Sequence, residues 1–453
     1  MTFRNWATIS AILPLREGQR YAGVRGRLRH YRKQERISLE QAQDIQWRSL
    51  LRLLQHAYDT TKFYRVRFQD AGLRPSDIKS PSDLTRIPLL TRDDIRNNLP
   101  SLRSRLYTED ELHRAATGGT TDTPVQFLRD SNSLREKVAV QLAFDRWAGY
   151  LPGDKVFFLW GARSDFVENP NWRWRVYDEW LLGRKWAPTS LFNESVLEQY
   201  RVMMNRFRPK VLYAYPTPAA LFCEYLRDSG LPYVRPKTVL CTAERLEPYQ
   251  RQLIESVFNV PVFERYGSRE FGIVAAECER HAGMHINPGA AYIELNPLED
   301  GNSTGLHEIF VTDLLNYGMP LIRYKVNDCA TSGIASCSCG LGYPVIAPIA
   351  GRTTEVFRLP DGSLVPGVAL TNRVLQVCPG LKRTQFIQET MRDFRVKYVR
   401  GPDFCVSDLD RLRERLSLFF PKGLNWFFEE VQEIEREKSG KTRFCISRVA
   451  MNS

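Results

Sequence analysis

Glycine and threonine residues form a short cluster at positions 117–124, which read Thr-Gly-Gly-Thr-Thr-Asp-Thr-Pro. Convergent backbone N–H groups and hydroxyl donors of this kind hold anions, so the cluster suits a polyphosphate ligand. The same composition is also typical of an ordinary surface turn. The patterns GxxxxGK(S/T), GxGxxG, GxSxG and HExxH are absent, which disfavours P-loop NTPases, Rossmann dehydrogenases, α/β-hydrolases and zincin proteases.

Further polar motifs follow in order along the chain. Residues 266–272 (YGSREFG) come directly after a predicted strand, and residues 322–328 (IRYKVND) close another. The pair Gly351-Arg352 precedes a final segment of about 100 residues, and residues 438–443 (KSGKTR) lie near its end. Several motifs in a given order are more specific than any one of them.

This ordered set resembles the adenylate-forming superfamily, and more closely the phenylacetate–coenzyme A ligase family in its capsular-polysaccharide-biosynthesis-like branch. Four short segments in the N-terminal part of the sequence are also similar to this branch: residues 56–58 (HAY), 63–65 (FYR), 71–73 (AGL) and 87–91 (IPLLT). The resemblance covers roughly residues 40–445.

The resemblance implies an ATP-dependent ligase that activates a carboxylic acid. The carboxylate attacks the α-phosphate of ATP to give an acyl-AMP and pyrophosphate, and an acceptor then displaces AMP. Coenzyme A is one candidate acceptor, and a group of a polysaccharide or secondary-metabolite precursor is another. Such an enzyme must hold a triphosphate, neutralise its charge and orient the acid.

Carried over position by position, the resemblance implies these nucleotide-binding residues: Thr117, Gly118, Gly119, Thr120, Thr121, Thr242, Ala243, Glu244, Tyr266, Gly267, Ser268, Arg323, Asp328 and Arg352. The loop 117–121 would grip the β- and γ-phosphates, and residues 242–244 would face the adenine. Tyr266 would flank the adenine or the α-phosphate. An ionised Asp328 would accept hydrogen bonds from the ribose hydroxyls, with Arg323 near the ribose or a phosphate.

Two residues are implied to be catalytic. Glu270 would hold Mg²⁺, for which a carboxylate is a hard ligand of the preferred kind. Lys441, on the small last domain, would reach the α-phosphate and the attacking carboxylate. Each of these two residues also has an ordinary structural interpretation, because a glutamate can cap a helix and a lysine can lie in a surface turn.

The phosphate loop departs from the family pattern. Family loops commonly place Gly and then Lys where this chain has Asp122 and Thr123. This replacement removes a cation and adds an anion beside the γ-phosphate. After Gly351-Arg352 the family usually carries an acidic hinge residue, and Glu355 is a plausible one here. The alternative function is therefore a catalytically degenerate nucleotide-binding or scaffold protein of the same fold.

A CxCG sequence at Cys337 and Cys339 suggests a metal site. Thiolates and imidazoles suit tetrahedral zinc, and the upstream candidates are Cys278 with either His281 or His285. The resemblance favours His285, since some family members carry Gly-x-His there. We expect a structural Zn²⁺; the alternative is a set of reduced, unpaired cysteines.

A pocket for the acid is predicted at Tyr213, Tyr215 and Pro216, which follow a strand of the sheet. Open α/β sheets bind ligands beyond the carboxyl ends of their strands. A packed core is the equally open alternative for these side chains.

Alternating short apolar strands and amphipathic helices predict the elements that position these motifs. Strands are expected at 155–160, 210–215, 238–241 and 262–265, with helices at 131–147, 218–226 and 249–258. This order indicates a helix-covered parallel sheet. Residues 290–328 instead predict antiparallel or barrel-like strands. Two strands, a helix and a strand between 383 and 434 predict a small mobile α+β domain.

The predicted organisation is a basic N-terminal arm (1–36), an adenylate-forming domain (37–350) and a C-terminal lid domain (351–453). Residues 1–36 hold nine basic and two acidic residues, or +7 of the formal net charge of +12. Such an arm could contact an anionic membrane, whereas nucleic acid is not expected. Nine cysteines, an odd number scattered in apolar strings, favour a reducing cytoplasm.

Overall fold

The computed structural model describes the greater part of the chain. The described residues are 2–116, 125–160, 176–189, 194–298, 305–331, 337–352, 356–361, 364–366, 378, 380–435 and 443–449. The predicted phosphate loop (Thr117–Thr121), the hinge candidate Glu355 and the predicted catalytic Lys441 lie outside the described residues.

The N-terminal segment is helical. It comprises α1 (Phe3–Ala7), a π-helical turn (Thr8–Ile12), α2 (Leu13–Arg16), α3 (Gly18–Tyr21) and α4 (Val24–Gln34). Apolar side chains on its inner face, with Leu13 and Tyr31 among them, are buried against the rest of the protein. The segment predicted as a basic arm is therefore docked on the body, because one of its faces is apolar.

The end of this segment meets a distant part of the chain. The hydroxyl of Tyr343 donates to the carbonyl of Tyr31 at 3.4 Å, and the N–H of Gly342 donates to the carbonyl of Glu35 at 3.4 Å. A Cβ on Gly342 would lie 1.8 Å from the carbonyl oxygen of Ile37, so only glycine permits this approach.

Three longer helices follow, α5 (Leu39–Thr60), α6 (Lys62–Asp70) and α7 (Arg92–Leu102). Ser38 caps α5 through its hydroxyl, and Gln41 returns a side-chain hydrogen bond to the Ser38 N–H. Their buried faces share one apolar core with an antiparallel sheet. A hairpin of β1 (Leu112–Ala116) and β2 (Gln126–Asp130) then leads into α8 (Ser131–Trp147), which Asp130 caps.

The central sheet has eight strands in the order β13-β9-β8-β7-β6-β5-β3-β4. The strands are β3 (Val156–Leu159), β4 (Arg184–Ala187), β5 (Val211–Ala214), β6 (Thr238–Thr242), β7 (Val262–Ser268), β8 (Gly272–Glu277), β9 (Met284–Ile286) and β13 (Val345–Ile346). From β4 to β7 the neighbours are parallel, and the remaining pairs are antiparallel. Strands β3, β5 and β6 are buried along their whole length, as expected for a sheet covered on both faces.

Helices α9 (Glu194–Phe207), α10 (Pro216–Ser229) and α11 (Pro248–Phe258) connect these strands and share a second apolar core with them. The predicted strand–helix alternation is confirmed here. Short strands joined by helices bring the carboxyl ends of β5, β6 and β7 to one edge of the sheet.

A second sheet is antiparallel, in the order β10-β11-β12-β14. Its strands are β10 (Ala291–Pro297), β11 (Leu306–Asp313), β12 (Tyr324–Thr331) and β14 (Ile349–Arg352). An isolated bridge between Leu90 and Tyr324 fixes the start of α7 beside β12. The prediction of antiparallel strands after residue 290 is confirmed.

The C-terminal unit has its own core around Phe386, Phe394 and Leu412. Its sheet, in the order β19-β18-β17-β20, carries α12 (Val406–Phe419), and a short hairpin precedes it. The strands are β15 (Val356–Arg358), β16 (Leu364–Pro366), β17 (Leu381–Gln388), β18 (Asp393–Arg400), β19 (Asn425–Glu430) and β20 (Cys445–Ser447). The predicted α/β class with a small α+β unit is confirmed. Within the described part of the chain, no helix combines the length and apolarity required to cross a bilayer.

Candidate active site

Two tyrosine–carboxylate pairs lie where the two sheets meet. Tyr266, near the carboxyl end of β7, donates its hydroxyl hydrogen to Asp328 on β12 at 2.9 Å. Tyr324 on β12 donates to Oε1 of Glu270 at 3.1 Å. The structure thus brings together two motifs that are more than 50 residues apart, because β7 and β12 belong to adjoining sheets.

Main-chain contacts fix the turn that carries Glu270. The hydroxyl of Ser268 accepts from the N–H of Glu270 at 3.1 Å, and Nζ of Lys137 donates to the Glu270 carbonyl at 3.0 Å. Lys137 also pairs with the buried Asp313 at 2.6 Å. A Cβ on Gly267 would meet the carbonyl oxygen of Gly272 at 2.2 Å, so the tight hairpin requires glycine there. The carboxylate of Glu270 is therefore held before any ligand binds.

A cation that the sequence motifs did not identify completes this cluster. The guanidinium of Arg92, the first residue of α7, hydrogen-bonds the Tyr324 hydroxyl. Burial opposes the charge, but Tyr324 and the carboxylates of Glu270 and Asp328 raise the pKa of Arg92. Its only sequence signal is its position directly after residues 87–91, one of the segments similar to the family.

The surroundings of Asp328 act on its pKa in opposite directions. Burial raises the pKa of this carboxyl above its ordinary value, whereas Arg352 and the hydrogen bond from Tyr266 lower it. Arg352 lies opposite Asp328 in the β12–β14 pairing, with Nε at 3.9 Å from Oδ1. Burial also raises the pKa of Tyr266 well above its usual range, so its hydroxyl remains a donor.

The predicted adenine-side residues lie beside Tyr266. Thr242 ends β6, is paired with Arg265 in the register of β6 and β7, and donates its hydroxyl to the Arg265 carbonyl at 3.2 Å. Ala243 has a φ of +68°, a left-handed conformation that turns the chain sharply after the strand. Glu244 accepts from the N–H of Thr217 at 3.0 Å, which fixes the loop to the start of α10.

Arg323 has several protein partners. Its guanidinium pairs with Glu294 at 3.0 Å and donates to the carbonyl of Thr85 at 3.2 Å and to that of Ile87. The side chain is buried and its φ is +51°. These contacts join β10, the residue before β12 and the segment before α7, and the predicted contact of Arg323 with the ribose or a phosphate stays a prediction.

Of the predicted acid-pocket residues, Tyr213 lies within β5, and Tyr215 and Pro216 directly follow its carboxyl end. Tyr213 and Tyr215 are buried, and Pro216 begins α10. The ring of Tyr215 lies 4.2 Å from that of Trp160, and the Arg265 guanidinium lies 4.6 Å from the centre of the Tyr213 ring. The edge of the sheet next to the carboxylate cluster is therefore lined with aromatic rings.

Cys278, His285, Cys337 and Cys339 form a separate cluster, in which the four candidate ligand atoms all lie within 4.8 Å of one another. The sulfurs of Cys278 and Cys337 are 3.6 Å apart, and the sulfur of Cys339 is 3.4 Å from Nε2 of His285. His281 instead contacts Glu277 at 3.1 Å. The structure thus assembles the predicted four residues, with His285 as the imidazole.

Backbone N–H groups point at the sulfurs of this cluster. The N–H of Arg280 lies 3.4 Å from the Cys278 sulfur, and that of Leu341 lies 3.4 Å from the Cys339 sulfur. Such donors stabilise thiolates, the form that binds metals. The set has the composition of a structural metal centre with all four ligands supplied by protein.

Comparisons with known proteins agree with this geometry. Residues 357–448 match the family model of the CapK C-terminal domain. The chain is 24% identical to Protein CapK of Staphylococcus aureus over 382 residues, which is 81% of each chain. It is 26% identical to phenylacetate-coenzyme A ligase of Thermus thermophilus over 349 residues, which is 73% of this chain and 75% of that one. The resemblance inferred from the motifs is confirmed.

Solved structures show the same fold. The 2-hydroxyisobutyryl-CoA ligase in the postadenylation state with 2-HIB-AMP superposes with a TM-score of 0.71 at 18% identity, covering 92% of this chain and 91% of that one. The same ligase in the thioesterification state gives a TM-score of 0.58 over the same shares.

Proposed function

We propose that this chain, a relative of CapK and of phenylacetate-coenzyme A ligases, is an ATP-dependent adenylate-forming ligase that converts a carboxylic acid to its acyl-AMP. The acyl group then passes to an acceptor, for which we propose the thiol of coenzyme A. The names of the relatives and of the structural neighbours agree with an acid–thiol ligase. Transfer to a glycan precursor instead of coenzyme A remains the alternative acceptor.

The convergence of Glu270, Asp328 and Arg92 at one sheet edge carries this proposal. Two carboxylates held by tyrosine hydroxyls beside a guanidinium suit a ligand with both hydroxyl groups and phosphates. A degenerate scaffold would have no need to retain these side chains in hydrogen-bonded positions. This is the reason to prefer the enzyme over the degenerate alternative.

We assign the nucleotide-facing roles as follows. Asp328 would accept from the ribose hydroxyls, and Arg352, with Nε 3.9 Å from Oδ1, opposes the rise in the pKa of that carboxyl caused by burial. Glu270 fits a Mg²⁺ ligand, because its carboxylate is held in place by protein contacts, and Mg²⁺ held there would offset the charge of the phosphates. Arg92 would face the same phosphates. Residues 117–121 would cover the β- and γ-phosphates, and Lys441 would act at the α-phosphate.

For the acid we propose the aromatic edge at Tyr213, Tyr215 and Pro216. Rings at this edge provide apolar area for the body of the acid, while its carboxylate points at the nucleotide. This orientation would put the reacting oxygen beside the α-phosphate, which is the chief requirement of a two-substrate transfer.

The experiment is ATP–pyrophosphate exchange, screened over aromatic, aliphatic and amino acids. With an acid that supports exchange, Asp328→Ala should lower kcat/KM for ATP by about 10- to 100-fold, since a hydrogen bond to a charged group is lost. Glu270→Ala should lower it at least as much. Asp44→Ala removes an exposed carboxylate on α5 and serves as the matched control. Unchanged exchange in both site variants would contradict the proposal.

We further propose that the Cys/His cluster holds a structural Zn²⁺. Tetrahedral coordination with Zn–S bonds of about 2.3 Å and a Zn–N bond of about 2.0 Å requires about 3.8 Å between sulfurs and about 3.5 Å from sulfur to nitrogen. The corresponding distances are 3.6 Å and 3.4 Å. Elemental analysis should find one zinc per chain, lost in Cys337→Ser/Cys339→Ser. Cys223→Ser, at a buried cysteine outside the cluster, should keep it.

We propose the cytoplasm as the location. The described cysteines are free thiols, and several of them, such as Cys223 and Cys241, are buried in the apolar core of the main sheet. Unpaired buried thiols together with a thiolate metal centre are typical of a reducing compartment.

A further inference from the structure

Two segments far apart in the sequence expose large apolar side chains on one face of the protein. Phe3 and Leu15 in the N-terminal helices are 82% and 83% exposed, and Trp180 in the π-helical turn Val176–Leu181 is 78% exposed. We call this set the apolar patch, and its members are Phe3, Trp6, Leu15, Trp180 and Leu181. Isolated exposed apolar residues are ordinary, but a group of five on adjoining elements indicates a contact surface.

The two segments that carry the patch touch each other. The guanidinium of Arg4 donates to the carbonyl of Trp180 at 2.9 Å, and the rings of Phe3 and Trp6 stack with centres 5.9 Å apart. Near Leu15, Glu17 lies 3.9 Å from Arg184, which directly follows this turn in the fold.

The patch is exposed although its scaffold is rigidly docked. On the opposite side of the same helices Leu13 is fully buried, and the amide of Asn5 donates to the carbonyl of Pro152 at 3.1 Å. The outward apolar side chains are therefore presented on a fixed surface and are not the loose end of a disordered tail.

A row of cations runs from the patch along α4. Arg25 lies 5.8 Å from the ring of Trp6. Arg29, Arg32 and Lys33 continue the row on the exposed face of the helix, at the spacing that places side chains on one side. The buried face of α4, which includes Val24 and Tyr31, is directed into the protein.

The two acidic residues of the first 36 do not cancel this charge. Glu35 is buried and bound to Arg146 at 2.6 Å and to the indole N–H of Trp147 at 3.1 Å. Glu17 faces Arg184. The outward face of the N-terminal helices is consequently apolar at one end and basic along the rest.

We infer that the apolar patch and the basic row of α4 together dock the protein on an anionic lipid surface. Tryptophan and phenylalanine side chains enter the headgroup region, and arginine and lysine bind the acidic headgroups. A two-fold contact between copies of this chain would bring two basic rows together, so the charge disfavours self-association through this face. The mode of binding is peripheral, and it goes beyond the proposed catalytic function.

The position of the patch leaves the candidate active site open. Asn5 contacts residues that precede β3, and Arg4 contacts the turn before β4, so the patch lies at the amino ends of the parallel strands. Tyr266 and Tyr215 lie at the carboxyl ends. A membrane bound at the patch therefore faces the side of the sheet opposite to the one where ATP would enter.

The test is co-sedimentation of the full chain with phosphatidylcholine vesicles that contain or lack phosphatidylglycerol, at low and high salt. We expect binding only to the anionic vesicles, with loss at high salt. Trp180→Ser should weaken binding through the lost apolar contact. Arg29→Glu/Arg32→Glu should weaken it more than tenfold, because one basic residue near such a surface accounts for about fivefold in affinity.

Matched controls separate the patch from general surface effects. Phe427→Ser removes an exposed ring from β19, and Arg206→Glu reverses an exposed charge on α9; both should bind as the wild type does. Each variant is first checked by its thermal unfolding curve. Equal binding to neutral vesicles, absence of binding, or wild-type binding by Trp180→Ser and the double variant would overturn the inference. So would a dimer that Trp180→Ser converts to monomer, because the face would then be a subunit interface.

Discussion

The hairpin of β7 and β8 carries a polar cluster at each end, and the two are built differently. At its turn, Glu270 and Tyr266 are bound to Tyr324 and Asp328, so the protein supplies their hydrogen-bond partners. At its open end, Cys278 faces two other sulfurs and an imidazole. At the turn, every hydrogen bond named here is made between protein groups. At the open end, three thiols lie close together, and their ionised forms would repel one another unless a cation were bound. The polar groups of the first cluster are thus already hydrogen-bonded within the protein, whereas those of the second fit the metal ion proposed above.

The distance between the clusters makes them separable by experiment. β8 has six residues, which corresponds to about 20 Å of strand. Damage to one cluster should therefore reach the other only through the stability of the hairpin as a whole. The expected outcomes below run from the largest effect to the smallest.

Lys441→Ala tests the proposed adenylation site at the turn of the hairpin by changing a residue that lies outside the hairpin in sequence. If this lysine supplies charge at the α-phosphate, its loss should reduce adenylation by on the order of 10²–10³-fold, as for other groups that stabilise developing charge. Transfer from a supplied acyl-AMP should be largely retained, since that step needs a different domain position. Pyrophosphate exchange and single-turnover transfer measure the two steps, with Lys438→Ala as the matched control. Equal loss of both steps would contradict the assignment.

Removal of the metal tests the open end. Treatment with a chelator should lower the Tm substantially, because a structural ion contributes its binding free energy to folding. Below the new Tm, the KM for ATP should remain within about twofold of its original value, because Tyr266 and Glu270 have protein partners. Differential scanning fluorimetry and exchange kinetics are the measurements, and re-addition of Zn²⁺ is the control. A large rise in KM in the folded, metal-free protein would show that the two ends are coupled.

Glu264, in the middle of β7, makes stability depend on pH. Burial and the neighbouring Glu277 raise the pKa of Glu264 to about 8. Between its ordinary value near 4.3 and this value the unfolded chain loses a proton that the native protein keeps, so the free energy of unfolding falls as pH rises. Glu264→Gln should reduce the fall in Tm between pH 5 and pH 8, by the equivalent of at least about 1.4 kcal/mol. Glu255→Gln, on the outside of α11, should leave the slope unchanged.

Tyr266→Phe makes the smallest change at the turn. It removes the hydrogen bond that holds the Asp328 carboxylate in position. The KM for ATP should therefore rise by about fivefold, the equivalent of about 1 kcal/mol. Tyr292→Phe, at a half-buried tyrosine of β10, is the control. A KM that does not change would mean that Tyr266 only fills space.

Helices with one apolar face and strands made wholly of apolar residues could be predicted from the sequence alone. The expected strands at 210–215 and 238–241 correspond to Val211–Ala214 and Thr238–Thr242, because buried parallel strands are continuous apolar runs. The strand Arg184–Ala187 was not predicted, because it lies at the edge of the sheet and keeps polar side chains. The helices before residue 35 were missed for a related reason, since their outward faces are basic.

Some residues of the candidate site could likewise be predicted from the sequence, and others could not. Motif order was enough to place Tyr266, Glu270 and Asp328 together, because each follows or ends a recognisable strand. Arg92 could not be found, since its role depends on a contact with Tyr324 that only the folded chain creates. The ion pair of Arg323 with Glu294 could not be found either, because Glu294 lies on β10 and Arg323 directly precedes β12, and no local sequence pattern indicates a buried ion pair between them.

The contact between Tyr31 and Tyr343 has a consequence for the order of folding. The two residues are 312 positions apart, and ribosomes add about 5–20 residues per second, so Tyr31 is synthesised about 15–60 s before its partner. Glu35 is made almost equally long before Gly342, which follows Cys339 of the cysteine cluster by three positions. Closure of this long loop is thus a late event in biosynthesis, and it joins the first helices of the chain to the cysteine cluster in one step.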